Sequence, residues 1–174
     1  MKNITLKGMT LGIIITLIVS CTPKKQEDVA IDKEQIKNEI QAMENKMAEM
    51  YNNRELLGEE YYAEDANSFS QNKPPLIGKL AIDKSIRDDL ASFQKGNQIA
   101  FVANEIFPST DGNQVVEVGS YRVSDSTSTA IYTGNYMALF EKRDGKYVCI
   151  RDMAASDRPK IEMKKEEPAT EKKK

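Results

Sequence analysis

Two hydrophobic rhythms run through this chain, and the change from one to the other comes near Gly96. Ile36, Ile40, Met43, Met47 and Met50 recur at intervals of four, three, four and three, a single apolar stripe along a helix. Asp32 stands at the N-cap position, Gln35 follows three residues on, and Ile31 and Ile36 occupy the two staple positions. Such a stripe is a core face before it is a cofactor site, and its methionines supply a pliable lining. The run "NNRELLGEEYYAEDA" predicts a short second helix over about 54–62, leading into a strand near Ala66. Two prolines make "NKPPLIG", residues 72–78, a loop. Ile82, Ile86, Leu90 and Phe93 mark a third helix that stops at Lys95-Gly96.

Beyond Gly96 the apolar residues alternate with period two. Strands are predicted at about 98–107, 113–124, 130–142 and 146–154, with Asp111-Gly112 and Asp144-Gly145 as hairpin turns. Helices followed by an antiparallel meander predict an α+β domain. In the hairpin around "DSTST", the expected register sets Tyr121 opposite Tyr136 and Val123 opposite Gly134, with Glu117 on the same face. Tyr121 and Tyr136 are then expected to line one cavity. The alternative is that both rings pack in a sheet–helix core or at a dimer face.

The two ends read differently from the middle. Lys2 and Lys7 precede an apolar run from Met9 to Val19, shorter than the roughly 20 residues that cross a bilayer and matching a secretory signal. Residues 1–20 are therefore assigned to a leader, 21–34 to a polar tether, 35–157 to one folded domain and 158–174 to a charged, disordered tail.

Composition narrows the chemistry. Lys and Arg number 25 against 27 Asp and Glu, a net charge of −2 that argues against nucleic acid as a partner. The chain has no His, which excludes Ser-His-Asp and Cys-His catalysis and His-ligated zinc. No metal or cofactor is expected. Cys149, in "KYVCIRD", reads as a small buried hydrophobe, with a reactive thiol as the alternative. Glu117, in "VVEVGSY", is the candidate catalytic base if it faces a pocket, and an ordinary surface residue if it faces solvent.

Ile18-Val19-Ser20-Cys21 resembles the lipobox of bacterial lipoproteins. That resemblance implies cleavage before Cys21, lipid on its sulfur and new amino terminus, and a membrane-anchored protein of the bacterial cell envelope. Three acyl chains on one residue would hold firmly where a single chain binds only marginally.

The folded region resembles the SnoaL-like branch of the nuclear transport factor 2-like superfamily. The matching residues are Tyr62-Ala63-Glu64-Asp65-Ala66, Pro74-Pro75-Leu76-Ile77-Gly78 with Ile82, Gly119-Ser120-Tyr121, Gly134-Asn135-Tyr136 and Asp144-Gly145-Lys146-Tyr147, with Asp152 near the last strand's end. The resemblance implies a strongly curved antiparallel sheet wrapped around a long N-terminal helix, a cone with a pocket at its open end. It places Tyr62, Phe69 and Asp152 at that pocket with Tyr121, Tyr136 and Glu117. Isomerases of the superfamily carry a carboxylate shortly after the "Y-A-[DE]-D-A" run, where this chain reads Asn67-Ser68-Phe69-Ser70-Gln71-Asn72. Their oxyanion hole pairs a Tyr with a neutral Asp, and only Tyr51 is a loose match to the first. The expectation is therefore a domain that binds a small, partly apolar ligand without transforming it. The alternatives are an envelope scaffold dimerising through the outer sheet face, or an isomerase, cyclase or dehydratase using Glu117.

Overall fold

The computed structural model describes residues 31–56 and 61–158. The expectations for the leader, Cys21, most of the tether and the tail fall outside these residues. In chain order the elements are α1 (Lys33–Asn53), β1 (Tyr62–Ser70), β2 (Leu76–Ile77), α2 (Lys79–Ser92), β3 (Gln98–Pro108), β4 (Gln114–Ser124), β5 (Ala130–Arg143) and β6 (Lys146–Ser156). Among the described residues the strands form one mixed sheet in the order β2-β1-β6-β5-β4-β3, with β1 and β6 parallel and every other pair antiparallel.

Helix α1 begins as its sequence dictates. The Asp32 carboxylate accepts the backbone N–H of Gln35 at 2.9 Å, satisfying one of the amides that a helix start leaves open. Of the predicted second helix, residues 54–56 and 61–62 are described, and none of them is helical. Arg54 adopts a left-handed conformation (φ 58°) and donates its N–H to the carbonyls of Met50 and Tyr51, which closes α1, and Tyr62 already belongs to β1. Paired aromatics at Tyr61-Tyr62 suit a pleated strand better than a short polar helix.

Side chains of α1 complete the edge of the sheet. Gln41 donates to the Phe101 carbonyl (3.1 Å) and accepts from the Ala103 N–H (2.9 Å). Asn52 does the same for both backbone groups of Ile99, at 3.0 and 2.7 Å, and Lys37 reaches the Asn104 carbonyl. The helix thus takes the place of a seventh strand, and β3 presents few open backbone groups on this side.

Bulges bend the sheet into a cone. One lies between Ala103 and Glu105 on β3, another between Leu139 and Phe140 where β5 meets β6. The second leaves Ile150 unpaired, so Cys149 stands opposite Phe140 and Asp152 opposite Ala138. Since opposed residues share a face, the bulge turns Asp152 to the inside.

Two apolar clusters hold the cone. The first joins Ile36 and Ile40 of α1 to Ala103, Ile106, Val115, Ala138, Phe140, Tyr147 and Cys149 of the sheet. The second joins Met50 to Ala63 and Ala66 of β1 and to Ile82, Ile86 and Leu90 of α2. Cys149 is free and fully buried, and burial pushes its thiol well above the ordinary range, so it is a core residue and not a nucleophile.

Candidate functional site

A cavity of about 940 Å³ opens between the concave sheet, α1 and α2. Met47 and Tyr51 reach it from α1, Ile82, Ile86 and Phe93 from α2 and its end, and Ile99 and Phe101 from β3. Tyr121, Tyr132, Tyr136 and Ala138 come from β4 and β5, Ser68 and Ser70 from β1, and Asp152 and Ala154 from β6. Its size and its mixture of aromatic wall and polar groups suit a small-molecule site.

Three tyrosine–carboxyl pairs stand in or directly behind its wall, Glu117 being the one carboxyl that does not line the space. Tyr61 donates its hydroxyl to Glu44 at 2.5 Å, Tyr136 to Glu117 at 2.7 Å, and Tyr62 to Asp152 at 3.0 Å. Glu44 and Glu117 are 1 % and 0 % exposed, although both are ionisable. Burial pushes all three carboxyls above their usual range. For Glu44 the Glu117 charge adds to the burial and raises it to about 8. Hydrogen bonds from Tyr136 and Glu44 pull Glu117 back down, and those from Ser68 and Tyr62 do so for Asp152. Two carboxyls in contact in a dry site cannot both be charged without large cost. Glu44 therefore holds the proton at neutral pH and donates it to Glu117.

The tyrosines keep their places through glycine. In the observed register Tyr121 faces Gly134 and Tyr136 faces Gly119. A β-carbon at Gly119 would stand 2.1 Å from Tyr136 Cζ, and one at Gly134 would stand 2.3 Å from Tyr121 Cζ. Each ring fills the room that the opposite glycine leaves. The predicted pairing of Tyr121 with Tyr136 is thus displaced by two residues. Its cause is Asp125, whose carboxylate collects the Thr127 N–H, the Thr127 hydroxyl and the Thr129 N–H and closes the turn earlier than expected. A shift of two preserves the face, so both rings still line one cavity. Phe101 joins them, with centroids 6.0 Å from Tyr121 and 5.8 Å from Tyr136.

Of the residues singled out from sequence, Tyr62, Tyr121, Tyr136 and Asp152 line the cavity. Glu117 lies on the inner face, not toward solvent, behind Tyr136. Phe69 does not belong to the site. Its neighbours Ser68 and Ser70 face inward, so the pleat turns Phe69 outward beside Met153, 40 % exposed. Tyr51 lines the cavity edge-on to Phe93, at 5.8 Å. Sequence reasoning missed Glu44, Tyr61 and Phe101. Glu44 carried a signal, since it sits four residues after Ile40 and three before Met47, a charge set in the middle of the apolar stripe.

No family model matches the sequence, and no curated protein matches it. Solved structures do. A nuclear transport factor 2-like superfamily protein from Salmonella enterica serovar Typhimurium superimposes with a TM-score of 0.55 at 11 % identity, over 76 % of this chain and 99 % of that one. The fold is the nuclear transport factor 2-like cone. LinA gives 0.60 at 14 % identity over 79 % of this chain and 97 % of its own. A hexachlorocyclohexane dehydrochlorinase, LinA-type3 from Novosphingobium barchaimii LL02, gives 0.58 at 13 % over 73 % and 90 %. At these identities the likeness carries the fold alone.

Proposed function

We propose that this is a lipoprotein of the bacterial cell envelope, anchored through lipid on Cys21, whose SnoaL-like domain holds a small, partly apolar ligand in the cone cavity. The observation that carries the reading is the cavity itself: about 940 Å³, walled by Phe101, Tyr121 and Tyr136 on one side and Ile82 and Ile86 on another, with polar groups such as Glu44, Ser68 and Asp152 among its lining. The lipobox-like "IVSC" supports the anchor. Among the described residues no helix is long and apolar enough to cross a membrane.

A second reading, an isomerase- or dehydratase-type enzyme, is favoured by one observation. Ser68 lies in the segment where the isomerase carboxylate was missed, and Asp152 stands directly beside it on β6, facing the cavity. Asp152 is then the base, and Glu117, behind Tyr136, positions that hydroxyl. Pairing of two copies through the outer sheet face, which exposes Phe69, Val102, Met137 and Met153, goes with either reading.

Native mass spectrometry of the protein purified from bacterial membranes tests this. The expected spectrum shows acylation lost in Cys21→Ala and a bound small molecule that is recovered unchanged after incubation. Conversion of that molecule would favour the enzyme. An unacylated chain with an empty cavity would contradict the proposal.

A further inference from the structure

We infer that the part of the cavity lined by Glu44 and Asp152 receives an ammonium group, so that the ligand is a small amine with an apolar, preferably aromatic, body. This rests on the reading of the cavity as a ligand site and names the class of ligand.

Charge is the first ground. Glu44 and Asp152 reach the cavity from α1 and β6, with Glu117 behind Tyr136, and the ion pairs formed among the described residues involve none of them. Of the two basic side chains that line the cavity, Arg158 lies over the Tyr132 ring at 4.0 Å, and the charge of Lys73 is felt by Asp89. Acids shielded from water are costly to ionise, and with no cation beside them among the described residues a ligand is left to supply one.

Hydrogen-bond direction is the second. Tyr61, Tyr62 and Tyr136 all spend their hydroxyl protons on the carboxyls. What these hydroxyls still offer is lone pairs. Asp152, which lines the cavity, has its Oδ1 shielded from solvent with no donor on it. A carbonyl or carboxylate entering here would meet acceptors. An ammonium brings three donors and a positive charge.

The walls fit the rest of the molecule. Phe101, Tyr121 and Tyr136 pack edge-on or tilted, giving an apolar wall whose faces also favour a cation. Without ligand, the proton on Glu44 fills the gap between Glu44 and Glu117. Glu44 faces Tyr61, Glu117, Tyr136, Cys149 and Asp152 and no base, so an ammonium arriving beside it and Asp152 displaces that proton to solvent.

The test uses full-length protein in lipid nanodiscs, empty nanodiscs as blank, and three probes of one shape: 1-naphthylmethylamine, 1-naphthalenemethanol and 1-naphthoic acid. Calorimetry at pH 7 should show the amine binding about tenfold or more tighter than the alcohol, with the acid weakest and a heat that varies with the buffer's ionisation enthalpy, the mark of proton release. Asp152→Asn should weaken the amine about tenfold and the alcohol much less, with an unchanged thermal melt reporting that the variant is folded. An alcohol that binds as well as the amine, or an amine indifferent to Asp152→Asn, would overturn the inference and leave the cavity reading standing. Failure of all three probes to bind would overturn both.

Discussion

The ring of Tyr136 occupies the space above Gly119: a β-carbon added there would stand 2.1 Å from the ring's Cζ and 2.4 Å from its hydroxyl oxygen. The same hydroxyl bonds Glu117. Gly119 therefore holds a tyrosine in place, and that tyrosine satisfies a buried acid.

Alanine at the two glycines should separate these roles. At Gly134 the new β-carbon meets the Ala155 carbonyl at 2.4 Å as well as Tyr121, and backbone cannot swing aside. Gly134→Ala should cost about 3 kcal/mol and Gly119→Ala about half of that, because the Tyr136 ring can move. Gly119→Ala and Tyr136→Phe should both raise the Glu117 pKa, since each removes the hydrogen bond that lowers it. Denaturant titration and carboxyl NMR check this. A Gly134→Ala protein as stable as wild type would contradict it.

The buried acids set the pH dependence of stability. Glu44 is raised to about 8 from an unfolded value of 4.5, and Glu117 and Asp152 are raised also. The folded state binds more protons than the unfolded one in that window, so their contribution is complete below about pH 4.5 and is lost as pH rises through 8. The exposed acids Asp65, Asp111, Asp125, Glu141 and Asp157 are lowered and act oppositely, only below their unfolded values of 3.8 or 4.5. Tm should therefore peak near about pH 5 and fall by about ten degrees toward about pH 8.5, a loss on the order of 2–3 kcal/mol. Glu44→Gln should flatten that fall. A Tm that climbs from pH 5 to pH 8.5 would contradict the protonation assigned to Glu44.

Removing the helix amides should expose the sheet edge. Gln41→Ala strands the Phe101 carbonyl and the Ala103 N–H, and Asn52→Ala strands both backbone groups of Ile99. Each should cost about 1–3 kcal/mol and increase self-association through β3. A loss within error in both, by denaturation and sedimentation, would show that solvent serves the edge equally well.

Periodicity made α1, α2 and the strands from Gln98 onward legible, because each buries one face at its own spacing. What escaped it depends on single residues that break the period. The bulge at Ile150 reverses the parity of β6 and brings Asp152 inward, an effect that follows from pairing with Leu139 and Phe140 rather than from β6 itself. Asp125 shortens the hairpin turn and moves the register by two. Arg54 ends α1 where a further helix was expected. Phe69 was placed at the pocket by resemblance, yet its alternation with Ser68 and Ser70 already sets it on the other face. Glu117 was found because a charge among Val115, Val116 and Val118 stands out, and Glu44 could have been found by the same reasoning on a helix.

The cavity is the functional surface on this account, and two adjacent residues of β6 test it most directly. Ala154 lines the cavity, whereas Met153 points to the outer face and is 55 % exposed. Binding of 1-naphthalenemethanol should be abolished by Ala154→Trp, which fills the space, and by Ser85→Trp from the α2 wall, while Met153→Lys leaves it unchanged. Binding that survives both tryptophans and disappears with Met153→Lys would move the site to the outer face and contradict the account.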